Sequence, residues 1–142
     1  MNSKTITYIS ELLIQKFEKN LVSAIVFGSS LTSSKPNDID VLVICKIIPK
    51  NWRKQNELCL DLETKALQHA YNLHMTLIDT DSFKYSIKNG APLLFNIYQN
   101  NNIIFDRYEF FQKQLKIFHK NIIKWKANKI DNCSWSVPAF AI

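Results

Sequence analysis

The chain has 142 residues, of which 46% are hydrophobic, and these values are typical of one globular domain with its own core. No apolar run approaches the ~20 residues that cross a bilayer, and the first ten residues lack the apolar stretch of a secretory signal. The three cysteines are widely spaced, which favours reduced thiols in a cytoplasmic protein over a disulfide or zinc framework.

Apolar residues at helical and strand spacing alternate along the chain and predict an α/β (α+β) fold, with a small mixed β-sheet flanked by helices. Helices are expected near residues 4–19, 52–70, 82–88 and 108–127. Strands are expected at 22–27, 39–45, 73–78 and 103–105. The apolar segment 93–98 fits either a helix or a strand.

The predicted last helix is strongly basic on one side, in a chain of net charge +6. At 100° per residue, one face carries lysines and the opposite face is apolar. The lysines are Lys113, Lys116, Lys120 and Lys124, and the apolar residues are Phe111, Leu115, Phe118 and Ile122. Such a face is either a solvated surface or a docking site for a polyanion such as nucleic acid. The apolar tail after this helix is expected to pack onto the body or onto a partner.

Residues 26–44, VFGSSLTSSKPNDIDVLVI, hold the most informative pattern in the chain. Asp38 and Asp40 are separated by one residue at the start of a predicted strand, so both side chains point to the same face. Two parallel carboxylates suit a hard divalent cation such as Mg²⁺, or Mn²⁺ in its place, and without a cation they repel each other. A structural alternative is a pair of loop-capping aspartates.

A turn that begins with Gly28 precedes the two aspartates. Glycine allows a tight exit from the first strand and a close approach of another group to the backbone. Ser29 follows it where a helix N-terminus is expected, and such termini bind phosphate oxygens. With Ser30, and with Lys35 as the cation within the turn, these residues are the predicted nucleotide-binding set. The segment thus combines a phosphate site with a metal site, as a clamp for a nucleoside triphosphate such as ATP does.

This ordered set resembles the signature of the nucleotidyltransferases of the DNA polymerase β superfamily, in particular the minimal nucleotidyltransferases. Gly28-Ser29 is followed by eight residues and then by Asp38-Ile39-Asp40. The resemblance implies a nucleotidyltransferase core over residues 1–107, with the helix and tail of 108–142 packed on the same domain. It also implies that Asp38 and Asp40 bind Mg²⁺ and are catalytic, while a hydroxyl attacks the α-phosphate of ATP.

The chain departs from the family pattern at the third carboxylate, which family members carry on the next long strand. Aligning the apolar positions of residues 73–79 places Thr76 there. His74 shares the face of Thr76 and is the predicted replacement, since a neutral imidazole can accept a proton. Asp79 and Asp81, just past the strand, are alternatives, although a turn-and-cap role fits them better.

Three kinds of hydroxyl acceptor fit the sequence. For small stand-alone members, the resemblance implies a protein acceptor, namely a tyrosine on an all-helical ribonuclease toxin, with the enzyme acting as antitoxin. A small molecule, as in antibiotic-modifying relatives, or an RNA 3′ end are the other acceptors. The missing third acid also leaves open a binding module that holds a nucleotide or partner without chemistry.

Overall fold

The computed structural model describes residues 1–31, 38–131 and 134–140, with the side chain of Ser29 excepted. The helices are α1 (Ser3–Phe17), α2 (Trp52–Gln68), α3 (Thr80–Asn89), α4 (Pro92–Gln99) and α5 (Phe110–Lys124). The strands are β1 (Leu21–Phe27), β2 (Ile39–Cys45), β3 (Leu73–Asp79), β4 (Asn101–Asp106), β5 (Asn128–Lys129) and β6 (Trp135–Ser136). No helix in these ranges is long and apolar enough to span a membrane.

Four strands form a mixed sheet in the order β3-β2-β1-β4. β1 pairs antiparallel with both β2 and β4, whereas β2 pairs parallel with β3. The predicted small mixed sheet is thereby confirmed. β1 and β2 are central and nearly continuous in apolar residues because helices cover both of their faces.

A separate core lies on each face of the sheet. On one face, Ile9 and Leu13 of α1 pack with Leu62 of α2 against the strands. On the other face, α3, α4 and α5 pack around the fully buried Phe111 and Phe118. Asp40 points towards the second face, since it is aligned with Phe27 of that core.

Short polar residues set the helix boundaries. The Asn2 side chain accepts a hydrogen bond from Thr5 N (2.9 Å) and begins α1, and Asn51 does the same for α2 through Arg53 N (2.8 Å). The ambiguous segment 93–98 is helical, with Pro92 in its first turn. α5 starts two residues later than predicted, because Tyr108 and Glu109 both have a φ of +56° and interrupt the helix.

The solvent and core sides of α5 are as predicted. Phe111, Phe118 and Ile122 are buried, while the four lysines are exposed. The tail packs on the body, with the Trp135 ring centroid 5.3 Å from that of Phe95 and Phe140 5.0 Å from Trp125. Cys45 and Cys59 are free thiols, as expected, whereas Cys133 lies outside the described residues.

Candidate functional site

The two aspartates lie at one end of the sheet, where β2 begins. Asp38 precedes β2 and Asp40 is its second residue, aligned between Phe27 of β1 and His74 of β3. Since paired residues share a face, the Asp40 side chain lies on the same side as Phe27, which is buried in the core of α3, α4 and α5. Asp40 is only half-buried and the Asp38 side chain is 49% exposed, so both carboxylates reach solvent at this end.

Gly28 lies directly against one of these carboxylates. Its φ is +84°, a left-handed conformation that strains any residue with a side chain. A Cβ atom at this position would lie 2.5 Å from Asp40 Oδ2, well inside van der Waals contact. The sequence therefore needs glycine here for two reasons, namely the backbone turn after β1 and the room that the Asp40 carboxylate occupies.

The remaining predicted nucleotide-binding residues have different outcomes. Residues Gly28–Leu31 form a single 3-10 turn instead of the start of an α-helix. Ser30 is 2% exposed and its hydroxyl donates to Phe27 O (3.5 Å), and its assignment to the nucleotide site stays a prediction. Lys35 and the Ser29 side chain lie outside the described residues, and their roles stay predictions.

Two side chains at the start of β3 lie against Asp38. The Asn72 side-chain amide, just before the strand, donates to Asp38 Oδ1 (2.5 Å), and the Asn72 backbone carbonyl accepts from Ile39 N (2.9 Å). His74 Nε2 lies 3.4 Å from the same Asp38 Oδ1. Strand register thus places His74, which is half-exposed, beside both carboxylates, while its catalytic role stays a prediction.

The register places Thr76 and His74 at different distances from the two aspartates. Thr76 pairs with Leu42, one step further into the sheet, whereas His74 is the residue opposite Asp40. Asp79 pairs with Cys45 at the far end of β3, and its carboxylate caps α3 by accepting from Ser82 N (2.6 Å). The capping role expected for Asp79 is confirmed, and His74 is the residue of β3 aligned with Asp40.

Sequence reasoning assigned Asn72 only to the end of the second helix and missed its place in the site. Asn72 lies 34 residues from Asp38 in the chain, and the contact depends on the parallel pairing of β2 with β3. An asparagine before a strand has no local pattern that would distinguish it from an ordinary turn residue.

The electrostatics of the carboxylate pair are those of two like charges held close together. Burial raises the pKa of Asp40 above its ordinary value, His74 lowers it, and the neighbouring Asp38 raises it further. Within residues 1–31, 38–131 and 134–140, no lysine or arginine forms an ion pair with either carboxylate. A positively charged ligand would therefore relieve repulsion that the fold itself maintains.

These donors fit a magnesium–nucleotide complex better than a metal held by protein alone. Among the described side chains, no group of three or more His, Cys, Asp or Glu residues could hold a metal ion. Mg²⁺ is commonly bound by one or two carboxylates together with water and substrate phosphates, which is the number of carboxylates available here. Asp38 has one oxygen held by Asn72, and this orients the other for a ligand.

The chain is similar to known proteins in both sequence and structure. No family model matches the chain. Over 112 residues it is 32% identical to MJ1305 of Methanocaldococcus jannaschii, an inferred protein adenylyltransferase, and the alignment covers 78% of this chain and 75% of that protein. At this identity and coverage, the chain belongs to the same family as MJ1305.

Two of the solved structures that share the fold are toxin–antitoxin complexes. One is a variant of the MntA toxin–antitoxin complex, with a TM-score of 0.52, 14% identity, and coverage of 89% of this chain and 93% of that chain. The other is a tri-AMPylated HEPN toxin from Shewanella oneidensis in complex with an MNT antitoxin, with a TM-score of 0.51, 16% identity, and the same coverage. At these identities the likeness concerns the fold alone.

Proposed function

Because this chain belongs to the minimal nucleotidyltransferases of the DNA polymerase β superfamily, we propose that it transfers AMP from ATP to a hydroxyl of a partner protein. The observation that carries the proposal is the pair of carboxylates, Asp38 and Asp40, on one face at the open end of the sheet, beside a glycine that makes room for one of them. The relative MJ1305 is named for the same activity.

Asp38 and Asp40 would hold Mg²⁺ together with the phosphates of ATP. When bound, the ion neutralises charge that develops on the phosphates as the α-phosphorus is attacked and pyrophosphate leaves. The chain's own task is to position these groups. Gly28 and Ser29 form the turn that would face the β- and γ-phosphates, with Lys35 as the proposed cation of that turn.

His74 is proposed to accept the proton of the attacking hydroxyl. With Asp38 Oδ1 accepting from Nε2–H, the lone pair of the neutral imidazole lies on Nδ1. The acceptor oxygen forms a bond to the α-phosphorus, the bond to the pyrophosphate oxygen breaks, and the acceptor proton passes to His74. Asn72 keeps Asp38 in place during this step by holding the same oxygen.

The proposed acceptor is a tyrosine of a HEPN-type toxin, with this chain as its antitoxin in the cytoplasm. A structure with the same fold contains an MNT antitoxin with an AMPylated HEPN toxin, and another was solved with the ATP analogue AMP-PNP. Both carboxylates reach solvent, so the acceptor itself would close the cleft.

The test is to express this chain with the protein encoded beside its gene and to measure the intact mass of that protein. We expect a gain of one or more AMP units on tyrosine, and no gain with the Asp38→Asn/Asp40→Asn variant. Glu11→Gln/Glu57→Gln, which changes two exposed carboxylates of α1 and α2, is the matched control and should leave the modification intact. If the wild type binds ATP and the partner without any transfer, the chain is a binding module and the proposal is wrong.

A further inference from the structure

The surface formed by α3 and α5 carries most of the net charge of the chain. The two helices lie side by side, with the Asn121 side-chain amide donating to Ile87 O (3.2 Å) and the rings of Phe83 and Phe111 5.9 Å apart. Their charged residues are six exposed lysines and one aspartate, Asp81. The lysines are Lys84, Lys88, Lys113, Lys116, Lys120 and Lys124. These helices thus carry five of the six net positive charges.

The opposite face of the molecule is neutral by comparison. α2 holds three basic and three acidic residues, and Asp61 is paired with Lys65 (3.3 Å) and with Lys16 of α1 (3.9 Å). None of the six lysines of α3 and α5 has an ion pair with a carboxylate in the described part of the chain. The positive charge on this side is therefore not neutralised by the fold.

The apolar residues beside the lysines favour a protein over a nucleic acid as the partner of this surface. Ile117 is 46% exposed and Ile123 is 65% exposed, and they flank the lysine stripe on either side at 100° per residue. Apolar side chains at such positions supply the contact area that a protein interface buries. α3 and α5 contain no arginine, the side chain that most often recognises phosphate in two-point contacts.

We propose that the exposed face of α5, extended by Lys84 and Lys88 of α3, docks an acidic surface of the protein acceptor. This inference rests on the proposed function, since it identifies the chemistry of the partner for the same site. This face of α5 is on the side of the sheet to which the Asp40 side chain points, because Asp40 is aligned with Phe27 and Phe27 packs in the core beneath α5. An acceptor held there is on the side to which the carboxylates point.

The experiment compares two four-site variants of the full chain. In the docking variant, Lys113, Lys116, Lys120 and Lys124 are each changed to Gln. In the control variant, Lys4, Arg53, Lys54 and Lys65 of α1 and α2 are changed to Gln, so both variants lose the same charge. Binding to fluorescent poly-L-glutamate and to a single-stranded RNA of equal charge is measured at low and at physiological salt, and the KM for the HEPN-type acceptor is measured in AMP transfer.

We expect poly-L-glutamate to bind the wild type in a salt-dependent manner, and to bind the docking variant roughly tenfold more weakly or worse, with the control changed about twofold at most. The KM for the acceptor should rise by a similar factor, with kcat and the affinity for ATP unchanged. If RNA binds more tightly than poly-L-glutamate through the same lysines, the surface binds nucleic acid. If the docking variant keeps the wild-type KM and poly-L-glutamate affinity, the lysine surface is merely solvated. Both results overturn the inference.

Failure of the proposed function has a different outcome. In that case the wild type modifies no acceptor, although poly-L-glutamate still binds and still depends on the four lysines. Failure of the docking inference leaves AMP transfer intact in both variants. Circular dichroism of each variant checks that the helices are folded, and the exposed positions make all eight substitutions compatible with folding.

Discussion

Replacing Gly28 by alanine tests the site most sharply, because the chain has only two glycines and the other one provides a control. Gly28 has a φ of +84° and Gly90 has a φ of +69°, so alanine is strained by about 1–2 kcal/mol at either position. In each case the added Cβ also meets a neighbour, which is Asp40 Oδ2 at 2.5 Å for Gly28 and Phe140 Cε2 at 2.7 Å for Gly90. The two variants should therefore lose similar stability, with midpoints lowered by roughly 3 to 10 °C.

The two variants should differ in activity. Gly28→Ala forces the Asp40 carboxylate to move, whereas Gly90→Ala displaces a ring of the tail. A displacement of about 1 Å at a catalytic group can cost roughly 10²-fold in rate. AMP transfer is measured well below both melting midpoints, per folded molecule, with Mg²⁺ varied. We expect about 10²-fold lower turnover for Gly28→Ala and wild-type turnover for Gly90→Ala. Equal activity of the two variants would refute the assignment of Gly28 and Asp40 to one site.

Three further variants test the individual roles. Burial and the nearby Asp38 raise the pKa of Asp40 above its ordinary value, so ionisation of Asp40 destabilises the folded chain as pH rises through that pKa. Without metal, Asp40→Asn should therefore have a higher melting midpoint than the wild type at neutral pH, and the difference between the midpoints should close in acid. Melting curves across pH check this, and a lower midpoint at neutral pH would contradict it. His74→Ala should lower kcat by roughly 10²-fold with little change in ATP affinity, and wild-type kcat would place the base elsewhere. Asn72→Ala should raise the Mg²⁺ concentration needed for half-maximal rate by about 10- to 100-fold, and an unchanged value would make Asn72 purely structural.

Much of the fold is predictable from the sequence because its core elements have strong local patterns. β2 was expected at residues 39–45 and spans Ile39–Cys45, since an apolar run of this length between polar turns has few alternatives. Segment 93–98 could not be assigned, because a short apolar run fits a buried helix as well as a buried strand. Its helical state depends on packing of Phe95 against Phe118, whose ring centroids are 5.1 Å apart.

The site was predictable where one strand alone determines geometry. The shared face of Asp38 and Asp40 follows from the alternation of side chains along β2, and the need for glycine at 28 follows from the turn. The contacts of Asp38 with Asn72 and His74 depend on the register between β2 and β3, which no local pattern determines. The same register places His74 opposite Asp40 and Thr76 opposite Leu42.

The central claim is that Asp38 and Asp40 together bind a divalent metal with ATP, and calorimetry tests it without knowledge of the acceptor. A non-hydrolysable ATP analogue is titrated into the wild type and into Asp38→Asn/Asp40→Asn, with Mg²⁺ and with a chelator. We predict that binding to the wild type requires Mg²⁺ and that the double variant binds at least roughly 10²-fold more weakly, since Mg²⁺ is held by these carboxylates and the phosphates. Binding of undiminished affinity in the double variant, independent of Mg²⁺, would contradict the claim.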